Sequence, residues 1–110
     1  MTGSTMNVNG KVDLNTFVDQ AAKLAKKLDA GTALIYNHSG KMVRFYCYNG
    51  GDFVKAIAYS KPNIATGYCG EIAAGGSVFK VHPDKNGKNE FLVKPGHAYV
   101  FKGAGKIDQL

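Results

Sequence analysis

The chain has no tryptophan, two cysteines, three histidines, and eight acidic residues against fourteen basic ones. Each scarcity removes a class of chemistry. The few carboxylates are scattered, so a glycosidase-type acid pair has no basis in the sequence. His38, His82 and His97 lie far apart, and none has a metal-binding spacing such as H-x-x-x-H. Cys47 and Cys69 stand alone and form no zinc knuckle. No cofactor and no metal are expected. One enzymatic alternative survives the inventory, a small cysteine-dependent hydrolase with Cys47 or Cys69 as nucleophile beside a histidine.

Long apolar runs are also missing. No stretch approaches the roughly 18 apolar residues that a membrane-spanning helix needs. The N-terminal dozen residues are polar and lack a basic segment followed by an apolar one, so no secretory signal is read. The expected location is the cytoplasm, or outside the cell if a leader has been removed. An even cysteine count permits a disulfide, while the missing signal argues for reduced thiols. Asn37-His38-Ser39 fits the glycosylation sequon, which is idle without secretion.

What is present is a split in hydrophobic period. Leu14, Phe17, Val18, Ala21, Leu24, Ala25 and Leu28 recur at helical spacing, and from Ala33 onward short alternating runs are punctuated by glycine. At 110 residues the chain has room for one domain, 1–110. Residues 1–12 read as a leader or an edge strand, 13–29 as an amphipathic helix and 32–102 as a β body. Asp13 is the natural N-cap, and Gly31 is placed to end the helix in a left-handed conformation.

Strands are expected over Thr32 to Asn37, Lys41 to Tyr48, Phe53 to Tyr59, Tyr68 to Ala73, Ser77 to His82, Glu90 to Lys94 and His97 to Lys102. Ser39-Gly40, Asn49 to Asp52 and Pro95-Gly96 supply turns. The clearest strand sets Val43, Phe45 and Cys47 on one face and Arg44, Tyr46 and Tyr48 on the other. In the last strand, Tyr99 and Phe101 oppose Ala98 and Val100. The glycine-rich stretch from Gly70 to Gly76 reads as a turn or bulge. Gly103-Ala104-Gly105-Lys106 lacks the spacing of a phosphate loop and reads as a C-terminal loop or tail. The predicted fold is mainly β: a small antiparallel sandwich of six to seven strands preceded by one helix. An α+β two-layer fold is the alternative.

Two constellations could carry function. One is the aromatic and basic face of Arg44, Tyr46 and Tyr48, extended by Lys55, Tyr59 and Tyr68. Tyrosine rings bind apolar or stacked groups while their hydroxyls stay wet, and arginine adds anion contacts. The other is the helix, whose Leu14, Phe17, Val18, Leu24 and Leu28 lie opposite Lys23, Lys26 and Lys27. Such a stripe covers a sheet or lies in a membrane interface. The net charge of +6 favours anionic partners.

The helix, the first strand and the turn Asn37-His38-Ser39-Gly40-Lys41 together resemble the start of the actinoporin-type cytolysins. In that family a helix precedes a β-sandwich and an Asn-x-Ser-Gly-Lys turn follows its first strand. The resemblance covers the first half of the chain and implies lipid binding through exposed aromatics and membrane insertion of the helix. It carries over Asn37, Ser39, Gly40 and Lys41 as turn residues. This chain is shorter than that family and lacks its tyrosine–tryptophan cluster. The β part is similar to small intracellular β-sandwich proteins associated with nematode longevity.

The leading expectation is a non-enzymatic binding protein that uses the tyrosine–arginine face or adjacent loops. Its expected partners are an anionic lipid, a glycan or a protein, with nucleic acid ranked below them. A symmetric homodimer is expected from bare sheet edges. A membrane-active, actinoporin-like protein is the first alternative.

Overall fold

The computed structural model describes residues 6–49, 62–73, 79–82, 91–103 and 106–110. It is a small, mainly β fold with one helix. The elements in chain order are β1 (Gly10–Lys11), α1 (Leu14–Ala25), β2 (Thr32–Asn37), β3 (Val43–Arg44), β4 (Tyr46–Asn49), β5 (Asn63–Ile64), β6 (Tyr68–Ala73), β7 (Phe79–His82), β8 (Phe91–Val93), β9 (Ala98–Gly103) and β10 (Lys106–Gln109). The strand expected over Phe53 to Tyr59 lies outside the described residues.

A five-stranded sheet in the order β1-β6-β2-β9-β10 forms the middle of the fold. Side chains alternate across a strand, so this sheet feeds two clusters. On one face Leu34, Tyr36, Cys69, Ala98 and Val100 meet Phe17, Ala21 and Ala25 of α1. On the other Ile35, Ile72, Tyr99 and Phe101 meet Val43, Phe45, Cys47, Ile64 and Val93 from the smaller sheets β3-β5 and β4-β7-β8. Sandwich and helix-on-sheet packing are therefore both present. This explains why Ala33 through Asn37 are all buried. A strand covered on both faces reads as a continuous apolar run, not as an alternation.

Four features depart from expectation. First, β2 and β9 pair in parallel, Leu34 opposite Ala98 through Asn37 opposite Phe101. The chain leaves β2, builds the second layer, and returns alongside it, which a local pattern does not reveal. Second, the strand expected over Lys41 to Tyr48 divides at Phe45, whose amide donates to the Pro62 carbonyl at 2.9 Å. As a result β3 pairs with β5 and β4 with β7. Third, Gly70 lies within β6, not in a turn. A Cβ there would come within 3.0 Å of the Ile64 side chain, so glycine lets β5 pack close. Fourth, the expected C-terminal tail is strand β10, antiparallel to β9 with a bulge between Lys106 and Ile107. Gly103 opens this hairpin at φ +86°, where a side chain would also press on Ser39. The Tyr99 hydroxyl accepts from the Lys94 amide at 2.8 Å and donates to Gln109 at 3.2 Å, fastening β10. Burial raises the pKa of Tyr99, partly offset by the Lys94 N–H.

The helix ends at Ala25, earlier than the periodicity suggests. Lys27 and Leu28 donate three residues back, to Leu24 and Ala25, so the last turn tightens. Gly31 is left-handed at φ +81°, but it does not end the helix as expected, because the C-cap is Lys26 in a right-handed conformation. Asp13 caps the other end: it accepts from the Thr16 amide at 3.2 Å and the Thr16 hydroxyl at 2.6 Å. Those bonds, the hydroxyl's first, hold its pKa below the ordinary carboxylate value. A lowered folded-state pKa stabilises the fold above the unfolded value, and this contribution disappears as pH falls through the folded one. Asp13→Ala is therefore expected to lower the melting temperature at neutral pH. The gap between variant and wild type should close in a titration taken down below pH 3.8.

Candidate functional site

The end of β2 is tied to the loop before β6 by a single side chain. Asn37 is fully buried. Its Nδ2 donates to the carbonyls of Lys41 (2.8 Å) and Ile64 (2.7 Å), and its Oδ1 accepts from the Ser39 amide (3.0 Å) and hydroxyl (2.6 Å). The Asn37 carbonyl accepts from the Gly67 amide at 2.8 Å, and the Gly40 amide donates to the Thr66 hydroxyl at 3.0 Å. Both donors and both lone pairs of the amide are thus used, as a buried amide requires. The Asn-x-Ser-Gly-Lys turn is in this molecule a structural knot, and it sets the position of the loop 62–67.

That loop carries one side of the expected aromatic and basic face. Arg44 is exposed on β3, and its Nε donates to Asn63 Oδ1 at 3.0 Å. Among the described residues no carboxylate pairs with it. Asn63 and Tyr68 line a cleft of about 190 Å³ together with Asn9 and Glu71. Asn9 Nδ2 donates to Glu71 at 2.7 Å, and the Glu71 amide returns a bond to Asn9 Oδ1 at 3.1 Å. Tyr68 is 39% exposed. The fold therefore gathers Arg44 and Tyr68 around one loop. Tyr46 and Tyr48 have their backbones in β4, opposite His82 and Lys80. Their side chains, and Lys55 and Tyr59 altogether, lie outside the described residues.

The residues of the helical stripe divide. Phe17 is fully buried, and Leu14, Leu24 and Leu28 pack against the same cluster. Val18 is half exposed, and Lys23, Lys26 and Lys27 face outward. No described helix is long and apolar enough to cross a membrane.

A second and larger concavity, about 610 Å³, opens beside the start of α1. Met6, Asn7, Lys11, Val12, Asp13, Thr16, Tyr36 and Gly67 line it. Tyr36 is 4% exposed, with its ring 5.2 Å from Phe17 and 6.0 Å from His38. Burial raises its pKa, and the nearby Asp13 charge and Cys69 add to the effect. Sequence reasoning passed over Tyr36, because it sits inside an apolar run, and over Asn63, which no spacing marks.

Comparison with protein-family models, with curated proteins and with solved structures finds no match.

The chemistry must therefore be read from these side chains. Cys47 and Cys69 are free thiols, and the central sheet separates them, since they belong to clusters on its opposite faces. Cys69 donates to the Asn7 carbonyl at 3.3 Å, and burial raises its pKa despite an opposing backbone bond from Gly10. A thiol so placed stays protonated at neutral pH and is a poor nucleophile. Among the described residues no three histidines, cysteines or acids gather in a metal-binding group.

Proposed function

We propose that this protein is a non-enzymatic binding module and that its ligand carries an anionic group, received at the Arg44–Tyr68 corner. The observation that carries this reading is the state of Arg44. Its Nε is held by Asn63, and its terminal nitrogens have no acidic partner among the described residues. A guanidinium fixed at one nitrogen is preorganised to offer its remaining edge to a carboxylate, sulfate or phosphate. Tyr68, which lines the cleft with Asn63, supplies an amphipathic ring, and Asn9 and Glu71 supply amide and carboxylate groups that suit hydroxyls. This combination favours an acidic glycan over a phospholipid surface, because Glu71 can accept from the hydroxyls of a sugar that also carries the anionic group. The buried thiols weigh against the cysteine-hydrolase alternative. For a membrane-active role, α1 would have to lift Phe17, Ala21 and Ala25 from the sheet.

The test is titration with a sulfated glycan, a heparin-derived hexasaccharide, in parallel with vesicles containing phosphatidylserine. Saturable binding of the hexasaccharide is expected, weakening as salt rises. Arg44→Ala should lower the affinity roughly tenfold, the effect of losing one charge-assisted hydrogen bond. Binding that Arg44→Ala leaves unchanged rejects the corner as the site. Binding to vesicles alone turns the reading toward a membrane ligand.

A further inference from the structure

We infer that the concavity beside the start of α1 is a second ligand site, and that it takes a neutral, hydroxyl-rich molecule, a mono- or disaccharide, on the Tyr36 hydroxyl. The argument starts from a hydroxyl without a protein partner. Tyr36 is 4% exposed as a residue, and its hydroxyl has no hydrogen-bond partner among the described residues. Buried polar groups in folded proteins are paired as a rule, and an exception calls for an explanation. The hydroxyl is not simply lost in the core. It feels the Asp13 carboxylate, and Asp13 lines the same concavity. The phenol therefore stands at the wall of a space of about 610 Å³, which is within the range of small-molecule sites.

The lining selects the class of ligand. Lys11 and Asp13 both line the concavity, so its wall carries balanced charge and singles out neither an anion nor a cation. The chain's net charge of +6 opposes an added cation. The available groups act in both senses. The Tyr36 hydroxyl and the Asn7 side-chain amide both donate and accept, the Thr16 hydroxyl, whose proton goes to Asp13, accepts, and Asp13 accepts. Each Asp13 oxygen takes one bond from Thr16, so lone pairs remain. Met6 and Val12 add an apolar patch. A sugar ring matches this set, with hydroxyls around its rim and C–H groups on its face. The site is separate from the Arg44 corner, since the two concavities have no lining residue in common, and it does not depend on that reading.

The test uses Tyr36→Phe, which keeps the ring packed against Phe17 and removes only the hydroxyl. Cellobiose, maltose and N,N′-diacetylchitobiose are titrated into labelled protein while amide shifts are followed by NMR. Acetate and choline serve as charged controls. At least one of the three sugars should produce saturable shifts at Lys11, Thr16 and Gly67, and Tyr36→Phe should weaken that binding about tenfold or more. The variant should melt at or above the wild-type temperature, because an unpartnered hydroxyl contributes nothing to the fold. Asn7→Ala, at an exposed lining position, should weaken binding with the fold intact. The inference is overturned if none of the sugars shifts these amides, or if both variants bind as wild type does. It is also overturned if acetate or choline alone binds there, or if Tyr36→Phe melts well below wild type, which would assign the hydroxyl a structural partner.

Discussion

Asn37→Ala is expected to cost about 2–4 kcal/mol, measured by urea unfolding, because it removes one buried and three partly buried hydrogen bonds at once. The Ile64 carbonyl loses its donor and the Ser39 amide its acceptor, while the Lys41 carbonyl and the Ser39 hydroxyl, which also bond each other at 3.0 Å, each lose one of two partners. Each buried group left unpaired costs about 1–3 kcal/mol, reduced where water can enter at the exposed edge of the turn. The melting temperature should fall by roughly 10–20 °C for a chain of this size. Asn37→Asp keeps the shape but exchanges two donors for lone pairs that face two carbonyls. It should be at least as damaging at neutral pH as the alanine variant. A loss below about 1 kcal/mol for both would mean that the knot does not hold the loop 62–67 in place.

Phe17→Ala is expected to cost about 3–5 kcal/mol, the range for emptying a fully buried aromatic site. The ring packs between α1 and β2, tilted against Tyr36 with centroids 5.2 Å apart. Hydrogen exchange gives the sharper readout. If helix and sheet form one cooperative unit, amides of Leu14–Ala25 and of β2 should lose protection together. If α1 is separable, the helix alone should lose protection. Only then does a detached helix at a membrane remain a credible state, and anionic vesicles should restore its helicity.

These two residues also show what could be read beforehand. Phe17, Ala21 and Ala25 announce themselves by spacing, and Asp13 by its place before them, because a helix writes its buried face into a period of 3.6. Val43, Phe45 and Cys47 are legible in the same way through the strand period. The alternation that places Tyr99 and Phe101 on one side of β9 and Ala98 and Val100 on the other is also correct. By contrast, β10 was hidden because Lys106, Asp108 and Gln109 are exposed and Ile107 alone turns partly inward. An edge strand without an apolar face looks like a tail. The parallel partnership of β2 and β9 joins segments some sixty residues apart and leaves no local mark. At the candidate sites, Arg44 and Tyr68 were visible as residue types. That Asn63 would hold the guanidinium, or that Tyr36 would end beside Asp13, depends on the return path of the chain.

The Asn37 knot has a consequence for covalent modification. The nitrogen that a glycosylating enzyme would join to a sugar is the one whose two hydrogens are committed to Lys41 and Ile64. Sugar attachment and the native state compete for that atom. The folded molecule is closed to the enzyme, and a chain modified during synthesis would have to rebuild this turn around a bulky group at a fully buried position. The sequon, in effect, can be used only by a chain that has given up this fold.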